Sequence, residues 1–246
     1  MNSTHNIMVL IEALLADGGE IGVRELASRT GVPKSTVQRF LSSMQDNGWV
    51  TQDHRTQGYR IGYKLLSMAN SWRLRLELTR QSEDVMRSLC DQSHQTVLLL
   101  VQEGYSGICQ NKVEPQRSIK LVAEMGHIFP LHAGACGKIL LTYALEPLRK
   151  HILYSPLPSY TPKTITDPKI LQAEIDKNRA LGYATSVEEM TVGAAEISVP
   201  LLNADGSLIA ALSIAGTKFD VEPQFVTFEK MLRTAAQTIV ERLENN

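Results

Sequence analysis

Polar side chains suited to contact nucleic acid are concentrated in one short stretch of the sequence. Arginine forms paired hydrogen bonds with guanine, and glutamine with adenine, in the major groove of DNA. Lysine and hydroxyl side chains are better suited to phosphate oxygens. The residues concerned are Lys34, Ser35, Thr36, Gln38 and Arg39. They predict contact with double-stranded DNA, and the alternative is the solvated polar face of an ordinary helical hairpin.

A helix-turn-helix must position these side chains. Residues 24–29 are predicted to form a short helix and residues 33–45 a second one, with a tight turn at Gly31. Glycine suits the left-handed conformation after a helix end, and proline fits the first helical turn because its missing N–H is not needed there. One face of the second helix is apolar, formed by Val37, Phe40, Leu41 and Met44. The polar residues therefore face outward, as in a recognition helix.

A predicted β-hairpin follows the second helix directly, in the position of a wing. Residues 49–52 and 59–61 are typical of strands, and the segment between them is polar and ends in glycine. His54 and Arg55 lie at its tip, where they could reach the minor groove or the phosphate backbone. This hairpin strengthens the prediction of DNA binding.

Residues 62–78 are predicted to form a linker helix with an apolar seam. The seam residues recur at spacings of three and four and are Leu65, Met68, Trp72 and Leu76. A large tryptophan on a connecting helix needs a partner to bury it. The seam therefore favours a dimer contact over a merely packed linker.

The composition is that of a globular chain long enough for two domains. It has 246 residues, of which 43% are hydrophobic and 21% charged, and no apolar run approaches the roughly 18–20 residues that span a membrane. The start has no basic region before its apolar stretch, so no signal peptide is expected. The cysteines Cys90, Cys109 and Cys136 are far apart and odd in number. They predict a reducing cytoplasm rather than a disulfide framework.

Charge is distributed unevenly along the chain. Residues 1–78 carry nine Lys/Arg and seven Asp/Glu, whereas residues 79–246 carry sixteen and nineteen. The N-terminal part is only weakly basic, so as a monomer it would bind nonspecific DNA poorly. Avidity from a dimer is therefore implied.

Residues 79–246 are predicted to form an α+β domain, because strands in the middle are flanked by helices at each end. The predicted strands cover residues 96–101, 105–113, 119–122, 183–185, 196–202 and 208–216. The predicted helices cover residues 79–94, 139–143, 168–181 and 221–243.

One face of the last two predicted strands is small and hydroxylic. It carries Glu196 and Ser198 on one strand and Ser213 and Ala215 on the next. Such a face leaves room and hydrogen bonds for a small ligand, although a helix or solvent could cover it instead. Glu196 favours a pocket or solvent over a core, since burying an unpaired carboxylate is costly.

The loop at residues 131–138 leads into a helix N-terminus, whose free N–H groups favour an anion. That end is expected to hold a ligand carboxylate, while Glu196 accepts hydrogen bonds from ligand hydroxyls at the far end. His132 is expected to be structural. Cys136 could be a reactive thiol, but no Asp or Asn is placed to complete a Cys/His device. The histidines and cysteines show no metal-ligand spacing, so we expect no enzyme, metal or cofactor.

The sequence resembles the IclR family of bacterial transcriptional regulators essentially from end to end. The matching motifs are VRELASRTGVPKSTVQRFLSSMQDNGWV, PLHAGACGKILL, SYTPKTITDPKIL and GYATSVEEMTVGAAEISVPLLNADGSLIAALSIAG. The resemblance implies a winged helix-turn-helix, a linker helix and a GAF-like effector-binding domain with a central antiparallel sheet. It also implies dimers through the N-terminal part, often tetramers, and control of catabolic operons by small organic acids, most often by repression.

The resemblance also implies effector-binding positions. They are Gly134, Ala135, Cys136, Ser186, Glu196, Ser213 and Ala215. Three depart from the family: Glu196 replaces Cys or a small residue, Ala215 a common Ser, and Ser186 a common Asp. An ionised Glu196 would repel an acid and suit a polyhydroxylated or amine-bearing ligand, whereas a protonated Glu196 could still accept an acid.

The expected protein is a cytoplasmic repressor of a catabolic operon, which a small organic acid or polyhydroxylated metabolite controls. It would bind a pseudo-palindromic operator as a homodimer or homotetramer. The expected domains are residues 1–61, 62–78 and 79–246. The alternatives are an architectural DNA-binding protein without an effector, and an enzyme fused to a DNA-binding module. Weak basicity and the small-residue face count against the first, and the lack of a catalytic constellation against the second.

Overall fold

The computed structural model describes residues 3–116 and 125–245 of the protein. The chain divides into two units, Met1–Arg75 and Leu76–Asn246. Each unit has its own apolar core. The strand predicted at 119–122 lies outside the described residues.

The first unit is a winged helix-turn-helix, as predicted. Its elements are α1 Ser3–Asp17, α2 Val23–Thr30, α3 Lys34–Asp46, β1 Val50–Gln52 and β2 Tyr59–Ile61. Helix α2 ends at Gly31, which adopts φ 68° and donates its N–H to Ala27 O at 3.0 Å. This is the left-handed cap that the sequence predicts.

The wing strands are antiparallel, with Val50 opposite Ile61. A short bridge between Ile21 and Tyr59 adds to them, with reciprocal N–H···O bonds of 3.0 and 2.9 Å. The Ile21 and Tyr59 side chains are both buried in the core with α1, α2 and α3. The wing is therefore fixed to the body of the first unit at its base.

A single long helix, α4, extends over Tyr63–Ser93. The prediction of two helices, at 62–78 and 79–94, is wrong here, because no Gly or Pro breaks the segment. The ion pairs Arg80–Glu77 and Arg87–Glu83 join successive turns around the expected break.

The predicted apolar seam lies on the first half of α4. Leu65 is half-buried, while Met68 and Leu76 are 46% and 64% exposed in the single chain. The side chain of Trp72 lies outside the described residues. The dimer contact stays a prediction.

The second unit is built on a six-stranded antiparallel sheet in the order β5-β4-β3-β8-β7-β6. The strands are β3 Thr96–Glu103, β4 Ser106–Val113, β5 Ile128–Pro130, β6 Ala184–Val187, β7 Ala194–Leu202 and β8 Leu208–Thr217. The edge strand β5 was not predicted, because three residues ending in proline give no strand pattern. The α+β prediction is confirmed.

Helices complete the second unit. They are α5 Ala135–Tyr143, α6 Glu146–Tyr154, α7 Pro168–Leu181, α8 Lys218–Val221, a 3-10 turn Glu222–Gln224 and α9 Phe225–Glu244. Helix α7 begins and ends as predicted: Asp167 accepts the Lys169 N–H at 2.7 Å, and Gly182 adopts φ 71°. Helix α6 was not predicted, and α5 begins four residues before the predicted Ile139.

Both faces of the sheet are buried. Helices α4 and α9 cover one face, where Met86 and Leu232 pack with Val97 and Leu99. Helices α5 and α7 cover the other face. Alternation along β7 points Ile197 toward the first layer and Ser198 toward the second. The small-residue face is thus the face that receives α5.

Candidate functional site

The outward face of α3 presents the predicted DNA-contacting side chains. Lys34, Ser35, Gln38 and Arg39 are exposed, while Thr36 is half-buried. The apolar face beneath them is fully buried at Val37 and Leu41, which fixes the rotation of the helix. The Arg39 guanidinium lies over the Phe40 ring at 5.1 Å, and neither Lys34 nor Arg39 has an ion-pair partner among the described residues. Their charges are therefore available to a polyanion.

The tip of the wing is ordered by one aspartate. Asp53 Oδ1 accepts the N–H groups of Thr56 and Arg55 at 2.9 and 2.8 Å, and these bonds lower the pKa of the Asp53 carboxyl. Gln57 closes the turn with φ 58°. His54 and Arg55 stand exposed on this fixed turn, in positions where they could contact a groove or a phosphate.

A cavity of about 280 Å³ lies in the second unit, at the N-terminus of α5. It is bounded by strands β3 and β7 and by the loop at residues 188–193. Its polar and charged lining consists of His127, Ser186, Glu189, Thr191 and Glu196. Its remaining lining is apolar or small and comprises Leu98, Leu100, Phe129, Ala133, Gly134, Cys136, Gly137, Met190, Ala194 and Ala195.

The predicted effector residues separate into two groups. Gly134, Cys136, Ser186 and Glu196 line the cavity, and Ala135 contributes its backbone N–H beside it. In contrast, Ser198, Ser213 and Ala215 are fully buried and do not line it. For those three residues a role in effector binding stays a prediction.

The small residues instead let α5 approach the sheet closely. Ser198 lies opposite Ser213 across β7 and β8, under the start of α5. Ser198 Oγ donates to Leu212 O at 3.1 Å and lies 3.5 Å from Cys136 Sγ. A larger side chain at these positions would push α5 outward, so their size serves packing.

Glu196 lines the cavity and also forms a hydrogen bond with the N-terminus of α5. Its Oε2 accepts the Ala135 N–H at 2.7 Å, within the first turn of α5. Gly134 adopts φ 81°, and a Cβ there would lie 3.3 Å from that oxygen. Burial raises the pKa of the Glu196 carboxyl, and the nearby Ser213 hydroxyl, the Cys136 thiol and the Ala135 N–H act against the rise. Ser213 acts by proximity, because its Oγ has no hydrogen bond of normal geometry within the described chain.

This contact corrects the expected ligand pose. The sequence suggested a ligand carboxylate at the helix N-terminus and Glu196 at the opposite end of the site. In the structure the two features meet, and the protein's own carboxyl occupies the Ala135 N–H. A pose that needs them at opposite ends does not fit this cavity.

A buried ion cluster, absent from the prediction, supports the same corner. Glu189 is 7% exposed, and its Oε1 lies 2.6 Å from Nζ of Lys138, which is 1% exposed. Glu189 Oε2 accepts the Gly134 N–H at 3.2 Å. Lys138 also donates to Thr185 O at 2.7 Å and lies 3.4 Å from Glu174. A lysine inside an otherwise apolar helix was the sequence signal for a buried acidic partner.

The loop at residues 188–193 is fastened by Glu188, another residue absent from the prediction. Its carboxylate pairs with Lys163 and Lys218 and accepts the Gly193 N–H at 3.0 Å. Lys163, then the Gly193 N–H and Lys218, lower the pKa of Glu188 to about 2. The loop carries Met190 and Thr191, so this fastening shapes one wall of the cavity.

The thiol and the imidazole near the cavity are not arranged for catalysis. Burial, followed by the nearby Glu196, raises the pKa of Cys136 well above its ordinary value, so it is not a thiolate. His132 Nε2 lies 2.9 Å from Pro158 O, a contact that supports the expected structural role. Among the described residues, no cluster of His, Cys, Asp and Glu could hold a metal ion. No helix in that part is long and apolar enough to cross a membrane.

Two curated relatives cover most of the chain. KipR, a helix-turn-helix transcriptional regulator of Bacillus subtilis, is 33% identical over 193 residues, 78% of this chain and 77% of KipR. The Escherichia coli transcriptional repressor AllR is 28% identical over 94% of this chain and 86% of its own.

Solved structures share the fold. The IclR of Thermotoga maritima is 27% identical with a TM-score of 0.65, covering 99% of both chains. A regulator from Silicibacter sp. TM1040 is 26% identical with a TM-score of 0.67, covering 98% of this chain and 96% of that one. An IclR homologue from Microbacterium hydrocarbonoxydans, complexed with 4-hydroxybenzoate, shares the fold at 24% identity and a TM-score of 0.66 over 100% of both chains.

Family models match both units. Residues 3–54 match the IclR helix-turn-helix domain, and residues 73–241 match the C-terminal part of the bacterial transcriptional regulator IclR. The second match alone covers more than half of the sequence. With the exposed recognition helix and the wing, these matches establish that the chain belongs to the IclR family of helix-turn-helix transcriptional regulators.

Proposed function

We propose that this regulator represses a catabolic operon and that a small organic metabolite, an acid or a polyhydroxylated compound, controls its operator binding. The observation that carries the proposal is the cavity of about 280 Å³ beside Glu196. It combines a few polar groups with apolar walls, the usual composition of a small-ligand site. The protein would act in the cytoplasm and catalyse no reaction.

The DNA-binding half of the proposal rests on α3 and the wing. The proposed contacts are Lys34, Ser35, Thr36, Gln38, Arg39, His54 and Arg55. Most of these side chains are exposed. Arg39 and Gln38 have the donors to read base edges, while the lysine and the hydroxyls suit phosphates.

Dimerisation is part of the proposal. Residues 1–78 carry a net charge of only +2, from nine basic and seven acidic residues. Two such units on a pseudo-palindromic operator gain avidity that one unit lacks. The exposed Met68 and Leu76 on α4 offer an apolar surface for the contact. A homotetramer would consist of two such dimers.

The cavity favours an effector-controlled regulator over an architectural DNA-binding protein. An architectural protein needs no internal space, whereas this unit keeps a partly exposed carboxyl group, Glu196, beside an open volume. Repression, rather than activation, is supported by the relative AllR, which is a transcriptional repressor.

The test combines DNA selection with ligand screening on the full chain. Genomic fragments that the protein retains define the operator, and fractionated metabolites are then scored for release of that operator. We expect one fraction both to weaken operator binding and to raise the melting temperature. A ligand at about 100 times its Kd should stabilise the protein by roughly 2.7 kcal/mol. Intact operator binding that no fraction alters would point instead to an architectural protein.

A further inference from the structure

We propose that the cavity takes a small ligand with a cationic nitrogen, an ammonium or amidinium group, which binds against Glu196. The inference rests on the proposed function, since it assigns a chemical class to the proposed effector of the same cavity. It departs from the simple organic acid that the sequence resemblance suggested.

The first argument is that protein carboxylates already occupy the anion-favouring groups at this corner. The Ala135 N–H donates to Glu196 at 2.7 Å, and the Gly134 N–H donates to Glu189 at 3.2 Å. A ligand carboxylate would have to displace one of them to bind either N–H group. These two N–H groups at the start of α5 are therefore not available to an anion.

The second argument is the balance of charge around the cavity. Among its described lining residues, Glu189 and Glu196 are the acidic groups, and there is no Lys or Arg. The nearest cation, Lys138, is 1% exposed and is offset by Glu189 and Glu174. His127 is the only lining group that could add a positive charge in the described part. With Glu196 ionised, a ligand anion would face net negative charge from these described groups, whereas a cation would be attracted. A bound cation would itself favour the ionised form of Glu196.

The third argument is that Glu196 keeps one oxygen for a ligand. Oε2 accepts the Ala135 N–H, and Oε1 has no hydrogen bond of normal geometry within the described residues. The Ser213 hydroxyl and the Cys136 thiol lie near the carboxyl. The side chain is partly exposed and lines the cavity. A cationic N–H donor there would form a charge-assisted hydrogen bond, the stronger kind.

The cavity also limits the size and shape of the ligand. A volume of about 280 Å³ lies at the lower end of the roughly 300–1,000 Å³ that is usual for small-molecule sites. Leu98, Leu100, Phe129 and Met190 form an apolar wall. A compact alkyl or aromatic body carrying one cationic nitrogen fits both conditions.

The test uses two sets of matched probes on the full chain. One set is benzylamine, benzyl alcohol and benzoate, and the other is pentylamine, pentanol and pentanoate. Calorimetry at neutral pH should give at least tenfold tighter binding of each amine than of its carboxylate counterpart. Glu196→Gln keeps an oxygen to accept the Ala135 N–H but removes the negative charge, so it should reduce that preference at least tenfold. Glu146→Gln removes the same charge at an exposed site paired with Lys150, and should leave the preference unchanged.

Three results would overturn the inference. Tighter binding of the carboxylates would do so while leaving the proposed function intact. An amine preference that survives in Glu196→Gln would remove Glu196 as the partner. Failure of every probe to bind would also overturn it, and operator release by metabolite fractions would then decide separately whether the proposed function stands.

Discussion

At the scale of single residues, Glu196 connects the start of α5 with the cavity proposed as the effector site. Its carboxyl caps the first turn of α5 through the Ala135 N–H and also lines the cavity. Gly134 is needed beside it, because φ 81° is strained for other residues and a Cβ would crowd the carboxyl. A ligand bound at Glu196 therefore contacts the group that positions the start of α5.

Glu196→Ala should uncouple the effector response from DNA binding. The variant should still bind its operator, because the proposed DNA contacts lie in the other unit, but respond at least tenfold more weakly to the effector. That factor corresponds to about 1.4 kcal/mol. The unpaired Ala135 N–H should cost about 1 kcal/mol of stability in addition. Operator titrations with the cognate ligand measure the response, and a wild-type response would move the site elsewhere in the domain.

Arg39→Ala should weaken operator binding by about 1–3 kcal/mol and relax the preference at one base position. The reason is that its guanidinium is exposed on α3 and free of ion pairs among the described residues. Binding to a library of single-base operator variants measures both effects. Lys34→Ala is the matched comparison, because loss of a phosphate contact should weaken all operator variants alike. Unchanged affinity and base preference in Arg39→Ala would reject its assignment.

At the scale of elements, the sequence was sufficient wherever local signals decide the structure. Gly31 marks the end of α2, and Asp167 and Gly182 mark both ends of α7, because caps are local. Helix α4 also follows a local rule, because no Gly or Pro interrupts residues 63–93, and the predicted break after residue 78 had no such residue to cause it. Helix α6 has no fully buried residue and therefore gives a weak apolar signal.

The cavity could be predicted only in part, because some of its lining residues are positioned by contacts between residues distant in sequence. The pair Lys138–Glu189 joins residues 51 positions apart. No local pattern specifies that pairing, so Glu189 was missed. Alternation along β7 and β8 correctly grouped Ser198 with Ser213, but could not show that α5 covers them. Alternation along a strand shows which residues share a face of the sheet. Which helix covers that face depends on the tertiary fold.

The loop at residues 188–193 should lose stability in acid through Glu188. Because its folded pKa, about 2, lies below its ordinary value of 4.5, its contribution is complete above pH 4.5. That contribution should decline as the pH falls from about 4.5 toward 2. Urea unfolding at several pH values should show a smaller acid-induced loss in Glu188→Gln than in wild type. Glu83→Gln, at an exposed pair with Arg87, is the control, and identical pH profiles in wild type and Glu188→Gln would contradict the prediction.

At the scale of the whole molecule, we expect the weak basicity of the first unit and the apolar surface of α4 to act together in operator binding. One weakly basic unit binds DNA poorly, since affinity depends on the number of phosphates that the protein neutralises. The same chain exposes apolar residues on α4, and exposed apolar patches of this kind often mark a contact with another protein chain. Pairing of two chains through this helix would cover the apolar seam and present two recognition helices to one operator.

The double variant Met68→Asp/Leu76→Asp should therefore be monomeric and should bind its operator about 100-fold or more weakly, because it loses the avidity of two linked half-sites. Met68 and Leu76 are 46% and 64% exposed in the single chain, so aspartates there should not disturb its own core. Light scattering measures the oligomer, and operator titration measures the affinity. Ser67→Asp adds a charge at an exposed position on the opposite side of α4, and should leave both unchanged. A double variant that keeps the wild-type mass and operator affinity would show that the seam is not the dimer contact.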